Sequence, residues 1–280
     1  MVITLLSLIV LALMSVFNST QAAFRSGVTQ TGVLETSRAA MVLMTSDLKT
    51  MTPSGNYGAY NDVPNFYVIS NLYYMQPLMQ SLPGSSQTRT NVLQDFFVLS
   101  RANVKGHDYW VGVGYAVSAT SVLGQPICPL YRFITNSTAE TDPEALFGQY
   151  SNSIVFNSFT NAGPGWSHLL DGVVDLRVRA YDLNGTWLTN GFGPGQASTA
   201  QNAVFYPTTL GESGFCLFSN TLPATVELQM GVLEDHTLSH AESLGPGSLL
   251  QSNYLAQQAG RVHVFRQRIA ISNLDPSAYQ

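Results

Sequence analysis

An α+β fold is expected: a long N-terminal helix, its apolar half transmembrane, packed on an antiparallel β-sheet head. Three observations predict it. Met1–Phe17 is an almost unbroken apolar run, and no Asp, Glu, Lys, Arg or His precedes Arg25. The helical pattern then continues without proline as far as Pro53, with Leu34, Met41, Met44, Leu48 and Met51 keeping one apolar stripe at helical spacing. Beyond Pro53, short alternating segments punctuated by Gly, Pro and Asn read as strands joined by turns. Residues 1–24 are thus an apolar half-helix, 25–52 an amphipathic half-helix, and 53–280 a β-rich head.

The elements follow in order. Thr52–Asn65 is rich in Pro, Gly and Asn and reads as a linker leaving the helix. Phe66–Met79 is apolar and aromatic and suits a strand, alone or with a short helix; Leu82–Thr90 is a loop and Asp95–Ser100 a strand. In Tyr109–Val117, Tyr109, Val111, Val113, Tyr115 and Val117 alternate against Trp110, Gly112, Gly114 and Ala116. That pattern predicts a strand with one bulky face and one mostly small face, the small face open to close approach by the N-terminal helix or another backbone. Pro129–Ile134 is a further strand, Thr135–Ser151 a polar insertion and Ile154–Phe159 a strand. Val173–Tyr181 alternates most cleanly, with Asp175, Arg177 and Arg179 on its polar face, and Asn184-Gly185 supplies the positive φ of a tight turn. Thr189–Gln201 is too glycine-rich for regular structure. Ala224–Val232 alternates again, Ser248–Ala259 reads as a helix closed by Gly260, and Val262–Ile271 is the last strand. Such strands, buried on one face, form antiparallel sheets against which the amphipathic half-helix lays its stripe.

Charged residues are only 10% of the 280, with a net charge of −5. The balance favours an extracytoplasmic β-rich domain, and without a basic cluster nucleic acid is not an expected partner. Two cysteines, Cys128 and Cys216, allow one disulfide in an exported head, against two separate buried thiols.

Three readings of the first segment compete. A secretory signal peptide would be cut near Thr20-Gln21-Ala22, but the charged start is missing and the helix runs on past the site. A plain membrane anchor wants roughly 20 apolar residues; the uncharged Asn18–Phe24 would have to extend the run. The third reading rests on a resemblance. Met1-Val2-Ile3-Thr4 looks like the part of a type IV pilin helix that follows its Phe-Thr-Leu-Val-Glu start. Arg38-Ala39-Ala40-Met41-Val42-Leu43-Met44-Thr45-Ser46-Asp47-Leu48 resembles the corresponding stretch of J-type minor pseudopilins and W-type minor pilins. Leu169–Asp182 with Asn184-Gly185-Thr186-Trp187 resembles their "L-x-x-G-V-x-x-L-x-x-x-Y-x-D…G-x-W" hairpin, Leu222–Leu228 the strand after it, and Leu130-Tyr131-Arg132 also fits. The long middle and the tail look more like large pilin-type cassette proteins of verrucomicrobial bacteria.

That resemblance implies a pilin-like subunit of a type II secretion pseudopilus or type IV pilus, at the filament tip. It implies a single-pass helix in the bacterial inner membrane with the head in the periplasm before assembly. The implied partners are other pilin or pseudopilin subunits, the inner membrane and, for a full-length chain, the assembly platform and the prepilin peptidase. Basic leader, Gly-Phe cleavage site and glutamate are missing near Met1, so the natural start is expected upstream. The expected assembly and membrane surface is Ile3, Leu6, Ile9, Val10, Leu13 and Phe17; Leu34, Met41, Met44, Leu48 and Met51 are expected to join helix to head.

Catalytic and metal chemistry is not expected, and no cofactor is implied. His236 and His240 are spaced to share a helix face but lack the glutamate of a zincin. Asp171, Asp175 and Asp182 lack the loop of a calcium site. No nucleophile elbow or P-loop occurs, and Gly191–Gly195 has no strand-to-helix context for a phosphate. Trp110, Trp166 and Trp187 are core or hairpin residues, or else a sugar platform in the alternative reading: a membrane-tethered or secreted β-domain binding a ligand such as a glycan.

Overall fold

The computed structural model describes residues 2–55, 63–70, 78–104, 106–118, 127–137, 143–155, 165–189, 202–206, 212, 214–245 and 247–279. Helix α1, Val2–Lys49, opens the chain. Then come β1 (Pro64–Ser70), β2 (Met79–Ser81), β3 (Thr88–Thr90), β4 (Gln94–Val104), β5 (His107–Val117), β6 (Leu130–Asn136) and α2 (Glu144–Val155). The second half holds β7 (Trp166–Leu170), β8 (Val173–Tyr181), β9 (Ala203–Tyr206), β10 (Gly214–Phe218), β11 (Thr225–Leu233), α3 (Asp235–Ser243), α4 (Leu249–Ala256) and β12 (Val262–Ala270).

The strands form a seven-stranded antiparallel sheet in the order β7-β6-β5-β4-β1-β10-β9, a three-stranded one in the order β12-β11-β8, and the β2–β3 hairpin. The two larger sheets meet where Leu93 bridges Leu176. Their facing sides share one core: Phe66, Phe96, Val113, Tyr115 and Phe215 from the larger, Leu176, Val178, Val226, Leu228 and Met230 from the smaller. The alternation seen in the sequence puts these residues inward because successive side chains of a strand face opposite ways.

This corrects the expected picture of a long, half-transmembrane helix carrying a pilin-like head. The molecule is dominated by its sheets, and from Val33 onward α1 is an integral core element between them, packed on β12, β11, β7, β4 and α3. Among the described residues no helix is long and apolar enough to cross a membrane. The physical reason is length: Asn18-Ser19-Thr20-Gln21 ends the apolar run at Phe17, short of the roughly 20 residues a span requires. The expected single-pass placement in a bacterial inner membrane, with a periplasmic head, is corrected with it.

Further corrections are local. The small face of β5 does not receive the N-terminal helix, which lies on the bulky side; it is covered by α2. There Leu146 and Tyr150 join Phe97, Leu99, Phe133 and Trp166 in a second core on the other face of the large sheet. The expected polar insertion Thr135–Ser151 and strand Ile154–Phe159 therefore give way to a helix as far as Val155; residues 156–159 lie outside the described set. Helix α4 starts at a Ser248 cap, whose Oγ accepts from Gln251 N at 3.1 Å, and ends at Gln257, before the expected Gly260. The Asn184-Gly185 turn forms, but of the pair Gly185 alone takes positive φ, at +77°; Asp182 Oδ1 fixes it by accepting from Asn184 N and Thr186 N at 2.9 and 2.7 Å.

Candidate assembly surface

Helix α1 has two unlike halves. From Leu6 to Gly32 every described side chain is exposed. Of the residues expected to form the assembly surface, Leu6 is 62% exposed, Ile9 46%, Val10 49%, Leu13 64% and Phe17 61%; the Ile3 side chain lies outside the described residues. Leu11, Met14, Val16 and Phe24 are equally bare. A single helical stripe leaves them out, although the sequence carries the signal: the run is apolar on all faces. Contiguous exposed apolar surface of this kind is uncommon on monomeric proteins.

The second half is the root of that projection. Met41, Met44, Leu48 and Met51 are buried and Leu34 half-buried, joined by Val33 and Ala40. Burying each large side chain fully contributes about 1.5–3 kcal/mol. A polar latch fixes the register. Arg132 of β6 grips Asp47 with two parallel bonds, Nε to Oδ2 at 2.9 Å and Nη2 to Oδ1 at 3.0 Å, and the Tyr115 hydroxyl donates to the same carboxylate. Fork-to-carboxylate pairs of this kind hold orientation as well as charge. Burial alone would lower the Arg132 pKa; the bonds and charge of Asp47 outweigh it and raise it. Burial and then Asp47 push the Tyr115 phenol well above its usual value. The sequence shows both halves of this latch, in Arg38–Leu48 and in Leu130-Tyr131-Arg132, but nothing local pairs them.

The helix exit is tied down as well. Thr52 N–H donates to Leu99 O at 3.0 Å, and Asn273 Nδ2 to Met51 O at 2.9 Å. No family model, curated protein or solved structure matches this chain.

The other candidates do not converge on a site. Cys128 and Cys216 are both free, which corrects the disulfide. Cys128 packs against the main core, whereas strand alternation turns Cys216 the opposite way from Phe215 and Leu217, beside its cross-strand partner Tyr67. Burial pushes the Cys128 thiol up to about 12 and raises that of Cys216 too. His236 and His240 are exposed on α3, and the His240 ring meets Tyr254 edge-on at 4.7 Å. Asp171 pairs with His168, Asp182 caps its turn, and Asp175 is buried elsewhere. No group of three or more His, Cys, Asp and Glu suited to a metal occurs among the described residues. Trp166 is buried, while Trp110 and Trp187 lie under Arg101 and Arg179. Most of Thr189–Gln201, with Gly191–Gly195, lies outside the described residues.

One cluster was legible only as a polar sheet face. On the outer side of β8-β11-β12, Arg89, Arg177, Arg179, Arg266 and Arg268 surround the buried carboxylates Asp175, Glu212 and Glu227. The spacing of Arg177 and Arg179, and of Arg266 and Arg268, places each pair on one face, but the cross-strand partners come from the register, which sets Glu227 opposite Arg268 and Arg179. Burial alone would raise the Glu227 pKa; bonds from Arg268 and Arg266, and their charges, hold it below the ordinary glutamate value. A carboxylate lowered in the fold stabilises it above its unfolded pKa of about 4.3, and that contribution is lost as pH falls through the folded value. The urea midpoint of the wild type is therefore expected to drop as pH falls below about 4.3, and that of Glu227→Gln to drop less steeply. Identical slopes would show that Glu227 titrates alike in both states.

Proposed function

We propose that this chain is a structural subunit of a pilus- or pseudopilus-type filament, assembling through the N-terminal half of α1 with the same segment of neighbouring pilin-type subunits. One observation carries the reading: an apolar half-helix, bare on every described face, is continuous with a half that is locked into the head by Met41, Met44, Leu48, Met51 and the Asp47–Arg132 latch. Packing such helices side by side buries the exposed residues without asking the head to change. The type IV pilin resemblance of the helix and hairpin residues supports the same role.

Sedimentation velocity of the full chain tests it. Wild type is expected to self-associate as concentration rises. Leu13→Arg removes about 1.5–3 kcal/mol of burial per fully buried leucine, and adds the cost of a charge in an apolar contact. That lowers the association constant more than tenfold, while the unfolding midpoint of the head stays put because Leu13 is 64% exposed. A wild type that stays monomeric, or a variant that assembles equally well, would overturn the reading.

A further inference from the structure

The three-stranded sheet has two unlike edges. Along β8 the edge is closed: Leu176 N–H donates to Val92 O at 2.8 Å, Val178 N–H to Gln94 Oε1 at 2.6 Å and Leu188 N–H to Ala180 O at 2.8 Å. Among the described residues β12 pairs with β11 alone. An antiparallel edge strand turns alternate N–H and C=O groups away from its neighbour, ready for another strand. Val264, Arg266, Gln267, Arg268 and Ala270 are exposed, and the strand, VHVFRQRIA, contains neither proline nor carboxylate.

The charge on this edge is one-sided. Arg266 Nη2 and Arg268 Nε donate to Glu227 at 2.6 and 2.8 Å, yet the two side chains stay 55% and 67% exposed while Glu227 is 2% exposed beneath them. Two exposed guanidiniums thus share one buried carboxylate, on a chain whose net charge is −5. Each fork offers five N–H donors, most of which Glu227 leaves unused.

We propose that β12 accepts an added strand from a partner protein: an extended acidic segment with two carboxylates two residues apart. Main-chain bonds to the open edge supply affinity, and alternate side chains supply selectivity. Set opposite Arg266 and Arg268, the two carboxylates stand about 4.5–5.5 Å away between Cβ atoms, within reach of the spare guanidinium donors. The residue between them turns to the α1 side, where Gln267 is engaged with Thr45 at 3.1 Å. The inference goes beyond the filament reading and uses none of the bare residues of α1, so Leu13→Arg leaves it unchanged.

The test titrates the full chain with an eight-residue peptide of Val and Thr carrying glutamates at two positions i and i+2. Its comparators are the glutamine counterpart and two glutamate peptides N-methylated on one or the other alternate set of amides. The glutamate peptide is expected to bind about fivefold tighter than the glutamine one at low salt. One of the two N-methylated peptides loses binding and the other keeps it, and the amides of 262–270 gain hydrogen-exchange protection. Arg266→Lys with Arg268→Lys, which preserves charge, narrows the preference for glutamate. Equal binding of both N-methylated peptides would reduce the effect to charge attraction and overturn the proposal. So would no binding at all, which would leave the arginines as protection of the edge against aggregation.

Discussion

Asp175→Ala is expected to lower the free energy of unfolding by about 3–5 kcal/mol, the cost of removing one partner from a buried charge network. The carboxylate is completely buried and accepts four bonds. Oδ1 takes Val92 N–H and Arg177 Nε, both at 2.9 Å; Oδ2 takes Gln229 Nε2 at 2.8 Å and Arg89 Nη2 at 3.3 Å. Alanine strands all four donors. Arg177 keeps Glu212 as a counter-charge and its bond to Thr90 O, but Arg89 loses its ion pair and with it one of the ties between the β2–β3 hairpin and the sheet. Gly231 leaves room for this approach: a Cβ there would stand 3.0 Å from that of Asp175 and 3.4 Å from Arg89 Nη2. Asp175→Asn keeps an acceptor but not the charge and is expected to cost less, about 1.5–3 kcal/mol. Urea unfolding of the two variants checks the order. A loss below about 1 kcal/mol for alanine would mean that the arginines find water as readily as they found the carboxylate.

Gly114→Ala is the second large effect. Its new Cβ would stand 2.2 Å from Tyr150 Cε2 and 2.4 Å from Cδ2. The ring has nowhere to go. Its hydroxyl donates to Phe96 O at 3.0 Å, and Phe97, Phe133 and Trp166 hold its sides at centroid distances of 5.2, 5.8 and 6.0 Å. Overpacking of a pinned aromatic typically costs about 1–3 kcal/mol, and this site belongs at the upper end because either β5 or α2 must shift. The double variant with Tyr150→Leu is expected to lose less than the sum of the two single losses, since the leucine vacates the space the methyl needs. Strict additivity would place the strain elsewhere.

Gly114 also shows how far the sequence could be read. The bulky and small faces of β5 were legible, because alternation is local and has period two. What covers the small face was not. Glu144–Val155 carries Gly148, Ser151, Asn152 and Ser153 and looks like a loop; its helix is selected by Leu146 and Tyr150 filling the space above Gly112 and Gly114. β8, β11 and β12 were legible by alternation, whereas β7, β9 and β10 are too short to show any. The α1 stripe was legible by its helical period. The pairing of Asp47 with Arg132, 85 residues apart, and of the five arginines with three carboxylates arises from tertiary register, and nothing local marks who meets whom. The exposed apolar half was visible as composition, but its falling short of a membrane span turned on the few polar residues that end the run.

Helix α1 also sets how the molecule bears load. Its stretch from Leu6 to Gly32, bare at every described side chain, spans roughly 40 Å at 1.5 Å per residue, while its root is gripped along its length by buried side chains and by the Asp47 clasp. A pull along the helix axis loads all those contacts together, as in a lap joint, and none of them peels first. A sideways push acts on a long arm over a short socket, so a tilt of ten degrees at Val33 sweeps the far end by roughly 7 Å. The chain is built to be strong in tension and sensitive in bending.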